Sequence, residues 1–409
     1  MTGHPPGHPP RIAPETPDTG TRLGLALLAY MLGVTLIITL LPFRFAWPAQ
    51  WRVVLDFLPV DFIANILLFI PLGFFYRLAC NAQPPSALQV LFLGAILSGL
   101  IESAQLFEIS RNTSPLDVAA NATGAWLGAL ASHQVARSAR VGGRLVGWLA
   151  LELPLMGLVY LLVPLLWVNS LSWNADVTSA AAALLLGVFG ANLLGGMQRH
   201  YFGPARASDA RRTAAFAGLW FVAGAFPSVP SRPLGLALSV VAVAAVAWWL
   251  GRRNPVPATA SNRRFEMPLL QSSAPVFAAY LALITLAPLA DGIAQWTMAA
   301  GFPDATSDQV EILRLLEVVA AFTLVGYMVA ELGGRLALRY GAALARLLRW
   351  SVGLACVVEG VRGYHTHGAS LARGSLLVAA ALYGGWLYYL QRAHVVQLLS
   401  TERPQTGPG

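Results

Sequence analysis

The sequence predicts an all-α membrane protein, a polytopic transmembrane bundle of about twelve helices (ten to twelve) with both termini in the cytoplasm. Its composition is the first reason, because 56% of the 409 residues are hydrophobic and 11% are charged. In a soluble domain roughly a quarter of the residues are charged. The second reason is that apolar runs of about twenty residues recur, a length that crosses a bilayer core of about 30 Å. The third reason is where the arginines lie.

The arginines predict the orientation. All 27 basic residues are arginines, and most lie in short loops between apolar runs, which accounts for the net charge of +8 without a nucleic-acid partner. With the N-terminus in the cytoplasm, 20 arginines lie on that side and Arg314 lies within a helix. The six on the outside are Arg44, Arg52, Arg111, Arg232, Arg362 and Arg373. Because cytoplasmic loops carry the excess of positive charge, loops 42–59 and 108–115 are predicted to face outwards.

The individual elements follow from the apolar runs. Residues 1–20 are polar and rich in Pro and Gly, which predicts a disordered tail. The run at 23–41 lacks an Ala-x-Ala cleavage pattern, so we interpret it as a retained helix. Eleven more helices are predicted at 60–79, 88–107, 116–134, 145–168, 177–196, 213–226, 233–250, 275–296, 310–331, 347–364 and 370–391. The segment 213–226 is short, so a re-entrant or kinked element is the alternative there. Residues 392–409 predict a second disordered tail.

Polar residues at helical spacing interrupt the apolar runs near the start of the chain. Asp61 and Asn65 are four residues apart and share a helix face, and Asp117 and Asn121 repeat that spacing. In the predicted orientation these residues converge on a polar cavity open to the outside. The candidate ligand-binding residues are Asp61, Asn65, Glu102, Gln105, Arg111, Ser114, Asp117 and Asn121. Three glycines predict close helix approach: Gly73, Gly124 and Gly128.

Glu102 is predicted to be the centre of this site. Asp61 and Asp117 stand at helix starts, where a carboxylate that caps backbone N–H groups is a sufficient structural explanation. Glu102 lies late in an apolar helix, with Ser98 and Gln105 on the same face, so capping does not explain it. A buried carboxylate is costly unless it is paired, neutral or wet. Its side chain is expected to point inward, within hydrogen-bond reach of at least one of Asn65, Arg111, Asp117 and Asn121.

Other charged groups have structural explanations. Arg111 can order its loop by pairing with Glu108 or Asp117. Two pairs at i,i+3 predict intramembrane ion pairs: Arg314 with Glu317, and Glu359 with Arg362. His365 and His367 predict an exposed loop, and no Cys or His cluster supports a metal site there. No catalytic residue is assigned, and no cofactor is expected.

One set of motif residues spans the first four predicted helices: Leu41, Pro42, Phe43, Trp47, Asp61, Asn65, Phe69, Pro71, Leu72, Gly73, Glu102, Gln105, Arg111, Ser114, Asp117, Asn121 and Gly124. Together they resemble the VanZ-like family of membrane proteins. The resemblance covers residues 23–134 and predicts a four-helix domain at 21–135. The family takes its name from a teicoplanin-resistance protein, so the resemblance implies a role in the cell envelope.

A degenerate second VanZ-like repeat is predicted at 275–391, with connecting transmembrane helices at 145–250. The matching residues are Leu72 and Phe75 with Leu324 and Tyr327, Asn65 with Glu317, Glu102 and Gln105 with Glu359 and Arg362, and Gly124-Ala125-Trp126 with Gly384-Gly385-Trp386. This alignment places Leu377 and Ala381 opposite Asp117 and Asn121. The alternative is chance similarity between apolar helices.

Three classes of function are compatible with these patterns. The favoured one is a non-enzymatic envelope factor in the cytoplasmic membrane that binds a lipid-linked or glycan-bearing molecule and affects susceptibility to teicoplanin-type glycopeptides. Its expected partners are membrane lipids and a lipid-linked envelope precursor or glycan. The second is an intramembrane enzyme on polyprenyl- or lipid-linked substrates, with Glu102 or Asp117 as general acid or base. The third is a transporter or flippase, which about twelve helices and a two-copy layout favour.

Overall fold

The computed structural model describes residues 19–48, 50–51, 53–80, 83–140, 153–172, 177–202, 207–253, 266–286, 295–302, 309–335, 340–365 and 368–401. These residues form twelve α-helices and a two-stranded parallel sheet. The helices are α1 (Thr19–Leu40), α2 (Pro59–Ala79), α3 (Ala87–Gln105), α4 (Pro115–Arg140), α5 (Leu153–Leu171), α6 (Val177–Phe202), α7 (Ala207–Ala225), α8 (Pro233–Arg252), α9 (Glu266–Leu286), α10 (Gln309–Arg335), α11 (Tyr340–Arg362) and α12 (Leu371–Thr401). The strands are β1 (Met298–Ala299) and β2 (Ala369–Ser370).

Eight helices of the described chain are long and apolar enough to cross a membrane, namely α1, α2, α3, α6, α8, α9, α10 and α11. Helix α5 contains a shorter apolar stretch, Gly157–Leu171. Helix α4 is less apolar because it carries Asp117 and Asn121 near its start and a polar stretch, residues 132–140, at its end. The chain is therefore a multi-pass membrane protein, and the prediction of an all-α bundle is confirmed.

Several helices differ from their predicted bounds. Helices α4 and α6 each end six residues later than predicted, and three others differ at their starts. Helix α9 was predicted at 275–296, but it begins at Glu266 and ends at Leu286, with Pro275 inside it. A membrane helix tolerates such a proline where neighbouring groups satisfy the freed carbonyl. Helix α7 is a 19-residue helix that starts six residues before the predicted 213, and a 3-10 turn, Phe226–Ser228, follows it. Helix α11 starts at Tyr340 instead of 347. Residues 145–152 and 287–294 lie outside the described residues.

The last helix corrects one predicted tail. Helix α12 continues to Thr401, through ten residues that were predicted to be disordered. A buried hydrogen bond holds the helix at the start of this extension, because the Tyr327 hydroxyl of α10 donates to Gln391 Oε1 at 2.7 Å. Gln391 and His394 are themselves buried, so the first turn of this stretch packs against the bundle. Residues 1–18 and 402–409 lie outside the described part of the chain.

Helices α2 and α4 pack with their backbones in close contact. Gly73 of α2 lies against the backbone carbonyl of Ala125, and Gly128 of α4 lies against that of Ile70. Gly124 makes the same kind of contact one turn earlier in α4. A side chain at any of these glycines would overlap the facing backbone. The predicted close helix approach is confirmed.

Helices α10 and α12 repeat these contacts. Gly326 of α10 lies against the carbonyl of Ala381, and Gly384 of α12 lies against that of Thr323. Gly326 follows Gly73 by 253 positions, and Thr323 follows Ile70 by the same number. In the partner helices both spacings are 256, from Ala125 to Ala381 and from Gly128 to Gly384. The two helix pairs therefore meet through the same backbone contacts.

Helix α5 lies at the centre of the bundle. It packs against α6, α7, α10 and α12, and its buried side chains include Leu155, Leu158, Leu162, Leu165, Leu166 and Val168. The first and last helices also meet, because the Tyr383 hydroxyl of α12 donates to the carbonyl of Ala26 in α1 at 2.6 Å. Tyr30 stacks on the same tyrosine ring. These contacts join both ends of the chain into one bundle.

The loops before α2 and before α4 lie at one end of the bundle. They are joined by an antiparallel bridge between Phe45 and Glu108 and a parallel bridge between Val53 and Thr113. At the start of α12 the strands β1 and β2 form an equivalent parallel pair, with Met298 opposite Ala369. Paired backbone therefore supports the N-terminal ends of both α4 and α12.

Candidate functional site

Glu102 ties the last turn of α3 to the start of α4. Its residue is 5% exposed, and its Oε2 accepts the backbone N–H of Ser114 at 2.9 Å. The Thr113 hydroxyl donates to the Glu102 carbonyl at 3.1 Å. The inward orientation was predicted, but the expected partner was a side chain. The backbone takes that role because the first N–H groups of a helix have no intrahelical acceptor and attract negative charge.

One aspartate lies near this carboxylate, and a second lies near the first. Asp117, in the first turn of α4 and half-buried, is close enough to Glu102 for their charges to interact. Asn65 of α2 lies close enough to Asp117 for their side chains to interact, and Asp61 is also within electrostatic range of Asp117. Arg111 exerts an opposing field on Glu102. Three carboxylates from α2, α3 and α4 thus gather at one end of the bundle.

A buried amide lies one helical turn further in. Asn121 is 3% exposed, and its Nδ2 donates to the Ser98 hydroxyl at 2.8 Å. These two residues are each four positions from Asp117 and Glu102, so they lie on the same helix faces. The Oδ1 of Asn121 is buried and accepts no hydrogen bond from the described residues. We call these six residues the Glu102 cluster: Asp61, Asn65, Ser98, Glu102, Asp117 and Asn121.

Two of the predicted site residues turn towards α1 instead. Arg111 and Gln105 donate to carbonyls at the end of that helix, with Arg111 bound to Leu41 at 3.1 Å and Ile38 at 3.2 Å and Gln105 bound to Thr39 at 2.8 Å. The last carbonyls of a helix lack intrahelical donors, and these side chains satisfy them. Glu108 accepts from Ser110 at 2.7 Å, so the alternative in which Arg111 pairs with Glu108 or Asp117 is wrong for this structure.

A second buried glutamate, at the end of α11, has a different partner from the one predicted. Glu359 pairs with Arg373 of α12, not with Arg362, through two hydrogen bonds of 2.7 and 2.8 Å. Arg373 also donates to the Gly368 carbonyl at 2.8 Å. Glu359 Oε2 accepts the backbone N–H of Ser370 at 2.8 Å, as Glu102 accepts that of Ser114. We call Arg314, Glu359, Arg362, Ser370 and Arg373 the Glu359 cluster.

The other predicted ion pair is also wrong. Arg314 pairs with Glu311 at 3.1 Å near the start of α10. Glu317 is buried and accepts hydrogen bonds from Asn169 at 2.9 Å and Tyr280 at 3.0 Å. Residues three apart on a helix can meet in either direction, and the exposed direction avoids burying a charged arginine. Glu317 instead links α10 to α5 and α9.

His365 is buried, whereas the sequence predicted an exposed loop. Burial lowers the pKa of its imidazole, and the positive charges of Arg362 and Arg373 lower it further. His367 lies outside the described residues. The part of the chain that the structure describes holds no group of three or more His, Cys, Asp or Glu side chains placed to bind a metal ion.

Residue spacing along one helix did not predict Arg373 as the partner of Glu359. A signal was present, because Ser114-Pro115-Leu116-Asp117 and Ser370-Leu371-Ala372-Arg373 each place a charged residue three positions after a serine that opens a helix. The alignment that matched Gly124 with Gly384 hid this similarity. The backbone contacts instead match Gly128 with Gly384, one helical turn away.

Comparison with known proteins identifies one segment of the chain. Residues 22–137 match the model of the VanZ/LLP1 family, and these residues correspond to α1 through most of α4. No curated protein and no solved structure matches the chain. The resemblance predicted over residues 23–134 is confirmed, and the segment that contains the Glu102 cluster is VanZ-like.

Proposed function

We propose, from the VanZ-like character of residues 22–137, that this membrane protein is a non-enzymatic factor of the cell envelope. Its Glu102 cluster binds a lipid-linked or glycan-bearing molecule from the outer side of the cytoplasmic membrane. Binding or release of this ligand changes the accessibility of envelope precursors. That change alters susceptibility to glycopeptides of the teicoplanin type. The family match supports the link to glycopeptide resistance, and the cluster supports the ligand site.

One observation carries the ligand-binding proposal. Glu102 is buried at the end of an apolar helix, and its carboxylate accepts the Ser114 backbone N–H. A buried ion pair that loses one partner is destabilised by about 3–5 kcal/mol, which shows how strongly a buried charge favours a counter-charge. Two charged side chains lie within electrostatic range of Glu102: Asp117, which is also acidic, and Arg111, whose guanidinium is hydrogen-bonded to carbonyls at the end of α1. A ligand that supplies donors would satisfy the group.

The position of the cluster fits access from the membrane surface. Glu102 lies in the last turn of α3, and Asp61 and Asp117 lie in the first turns of α2 and α4. All three are at the end of the bundle where the loops are bridged. The arginine distribution predicts that this end faces outwards. Exposed Trp47 and Trp51 lie in the loop at the same end, as interfacial aromatic anchors do.

We further infer that α9 to α12 form a degenerate second copy of α1 to α4. The matching glycine contacts of α2–α4 and α10–α12 support this, as do the equivalent serine–glutamate hydrogen bonds. In the register of these contacts Asp117 lies opposite Arg373 and Asn121 opposite Leu377. Helices α5 to α8 then connect the copies, and α5 packs against α10 and α12 of the second one.

The functional proposal is tested by expression in a Gram-positive host that is susceptible to teicoplanin. Wild-type protein is expected to change the minimum inhibitory concentration of teicoplanin, and Glu102→Gln, which keeps the shape but removes the charge, is expected to abolish that change. Asp56→Asn, an equivalent charge removal in an exposed loop, is the matched control and should behave as wild type. Membrane levels are compared by quantitative immunoblot. A Glu102→Gln variant at normal level with full effect would contradict the proposal.

A further inference from the structure

The Glu102 and Glu359 clusters share a framework but carry opposite charges. In both, a buried glutamate accepts the N–H of a serine that precedes a helix. Three residues after the serine the chain has Asp117 in one cluster and Arg373 in the other. The glycine contacts relate α2 to α10 by 253 positions, so Asp61 corresponds to Arg314. Two aspartates of the first cluster are therefore arginines in the second.

In the Glu359 cluster an internal guanidinium completes the site. Arg373 donates to both carboxylate oxygens of Glu359 and to the Gly368 carbonyl. Both side chains are buried, and the two parallel hydrogen bonds give the strong fork geometry of an arginine–carboxylate pair. This buried glutamate has its counter-charge built into the chain.

In the Glu102 cluster the same place has no guanidinium from the described residues. Glu102 Oε2 accepts the Ser114 backbone N–H. Asn121 Oδ1, one turn deeper and 3% exposed, is buried without a donor among the described residues. Asp117 adds a second negative charge within range of Glu102, and the Arg111 guanidinium, also within range, is hydrogen-bonded to carbonyls at the end of α1. The unused atom is an acceptor and the two carboxylates are negative, so the missing component is a group with N–H donors and a positive charge.

We propose that the Glu102 cluster binds a guanidinium or primary ammonium group of its ligand, in the place that the Arg373 guanidinium occupies in the Glu359 cluster. This inference rests on the proposed function, because it assigns a chemical class to the ligand of that site. The carboxylate of Glu102 and the Asp117 carboxylate supply the charge complement, and Asn121 Oδ1 supplies a further acceptor. Such a cation is carried by the head group of a membrane amphiphile or by a small solute.

The test uses the purified full-length chain in a neutral maltoside detergent and follows its thermal unfolding by tryptophan fluorescence. Octylguanidinium is the probe, and octylurea is its neutral isostere. Octylguanidinium is expected to raise the unfolding temperature saturably, and octylurea is expected to leave it unchanged. Equal shifts with both compounds would overturn the proposal, because the site would then not recognise charge. Methylguanidinium distinguishes the two sources: a weaker effect than that of octylguanidinium indicates an amphiphile, and an equal effect indicates a solute.

Asp117→Arg converts the Glu102 cluster to the arrangement of the Glu359 cluster and is the decisive variant. It is expected to lose the octylguanidinium shift while its own unfolding temperature matches or exceeds that of wild type. Asp56→Arg, the same change in an exposed loop, should keep the shift. If Asp117→Arg does not fold, Asp117→Asn and Glu102→Gln are measured in its place. Each is expected to weaken the affinity for octylguanidinium by about tenfold or more, because a charged hydrogen bond is lost. A shift that persists in these variants would overturn the proposal.

The two proposals fail separately. In one outcome, octylguanidinium binds in a way that depends on Asp117, but the Glu102→Gln variant keeps its full effect on teicoplanin susceptibility. This outcome would retain the cation site and reject the envelope function. Loss of the teicoplanin effect in Glu102→Gln, together with no discrimination between octylguanidinium and octylurea, would retain the function and reject the cation.

Discussion

A single arginine distinguishes the two buried glutamates at the residue scale. Glu102 and Glu359 each end an apolar helix and each accept the N–H of a serine. Glu359 also receives the guanidinium of Arg373, whereas Glu102 interacts with the carboxylate of Asp117. The same local framework therefore yields a closed ion pair in one place and an acidic cluster in the other.

The closed pair is expected to be important for stability. Arg373→Gln removes one member of a buried, bidentate pair and should lower the free energy of unfolding by about 3–5 kcal/mol. Arg314→Gln removes an exposed pair with Glu311 and should cost about 0–1 kcal/mol. Unfolding in detergent micelles under increasing denaturant measures both. Equal decreases in the free energy of unfolding for the two variants would show that the Glu359–Arg373 pair contributes no more to stability than the exposed Arg314–Glu311 pair.

The sequence predicted part of this site and not all of it. Helical spacing correctly placed Asp61, Asn65, Glu102 and Asp117 near one another, because residues four apart share a face and the helix ends alternate across the membrane. It did not predict that Gln105 and Arg111 bind the end of α1, since nothing in local spacing shows which distant carbonyls lack donors. The partner of Glu359 was missed for the same reason, as Arg373 lies on another helix.

At the scale of elements, the helix pairs α2–α4 and α10–α12 depend on backbone contact at glycines. The recurrence of apolar residues predicts which segments are apolar helices, and glycines predict where two helices can approach each other closely. It does not fix the ends of helices with internal prolines, as α9 shows with Pro275. It also does not predict polar helix ends that are held by a buried contact, as Gln391 holds α12.

Leucine substitutions test the two pairs together. Gly73→Leu in α2 and Gly326→Leu in α10 each place a side chain against the facing carbonyl, and each is expected to cost about 1–3 kcal/mol or more, as overpacking does. Gly99→Leu and Gly353→Leu are the controls, because a side chain at either position meets no neighbouring atom within 4 Å. Thermal unfolding in detergent compares the four. If Gly326→Leu were as neutral as the controls, α10 and α12 would not pack as α2 and α4 do.

At the scale of the whole molecule, the orientation of the bundle decides which side a ligand reaches. Helix α4 contains 26 residues, which corresponds to about 39 Å at 1.5 Å per residue, more than the about 30 Å of a bilayer core. The arginine distribution predicts that the end with the Glu102 cluster faces outwards.

Cysteine labelling in intact cells tests this orientation. With Cys80 and Cys356 first replaced by serine, a cysteine at Ser110 or Ala49 is expected to react with a membrane-impermeant maleimide, and one at Ser138 is expected not to react. Permeabilised cells provide the control, in which Ser138→Cys should also become reactive. Labelling of Ser138→Cys alone in intact cells would reverse the orientation.

The most direct measurement is a cryo-electron microscopy structure of the protein in nanodiscs made from the lipids of its native membrane. Density that does not belong to the protein is expected within hydrogen-bond distance of Glu102 and Asp117. No such density is expected between Glu359 and Arg373, where the chain supplies its own counter-charge. A map in which Glu102, Asp117 and Asn121 bind only to protein groups, with no density between them, would contradict the claim that this cluster is a ligand site.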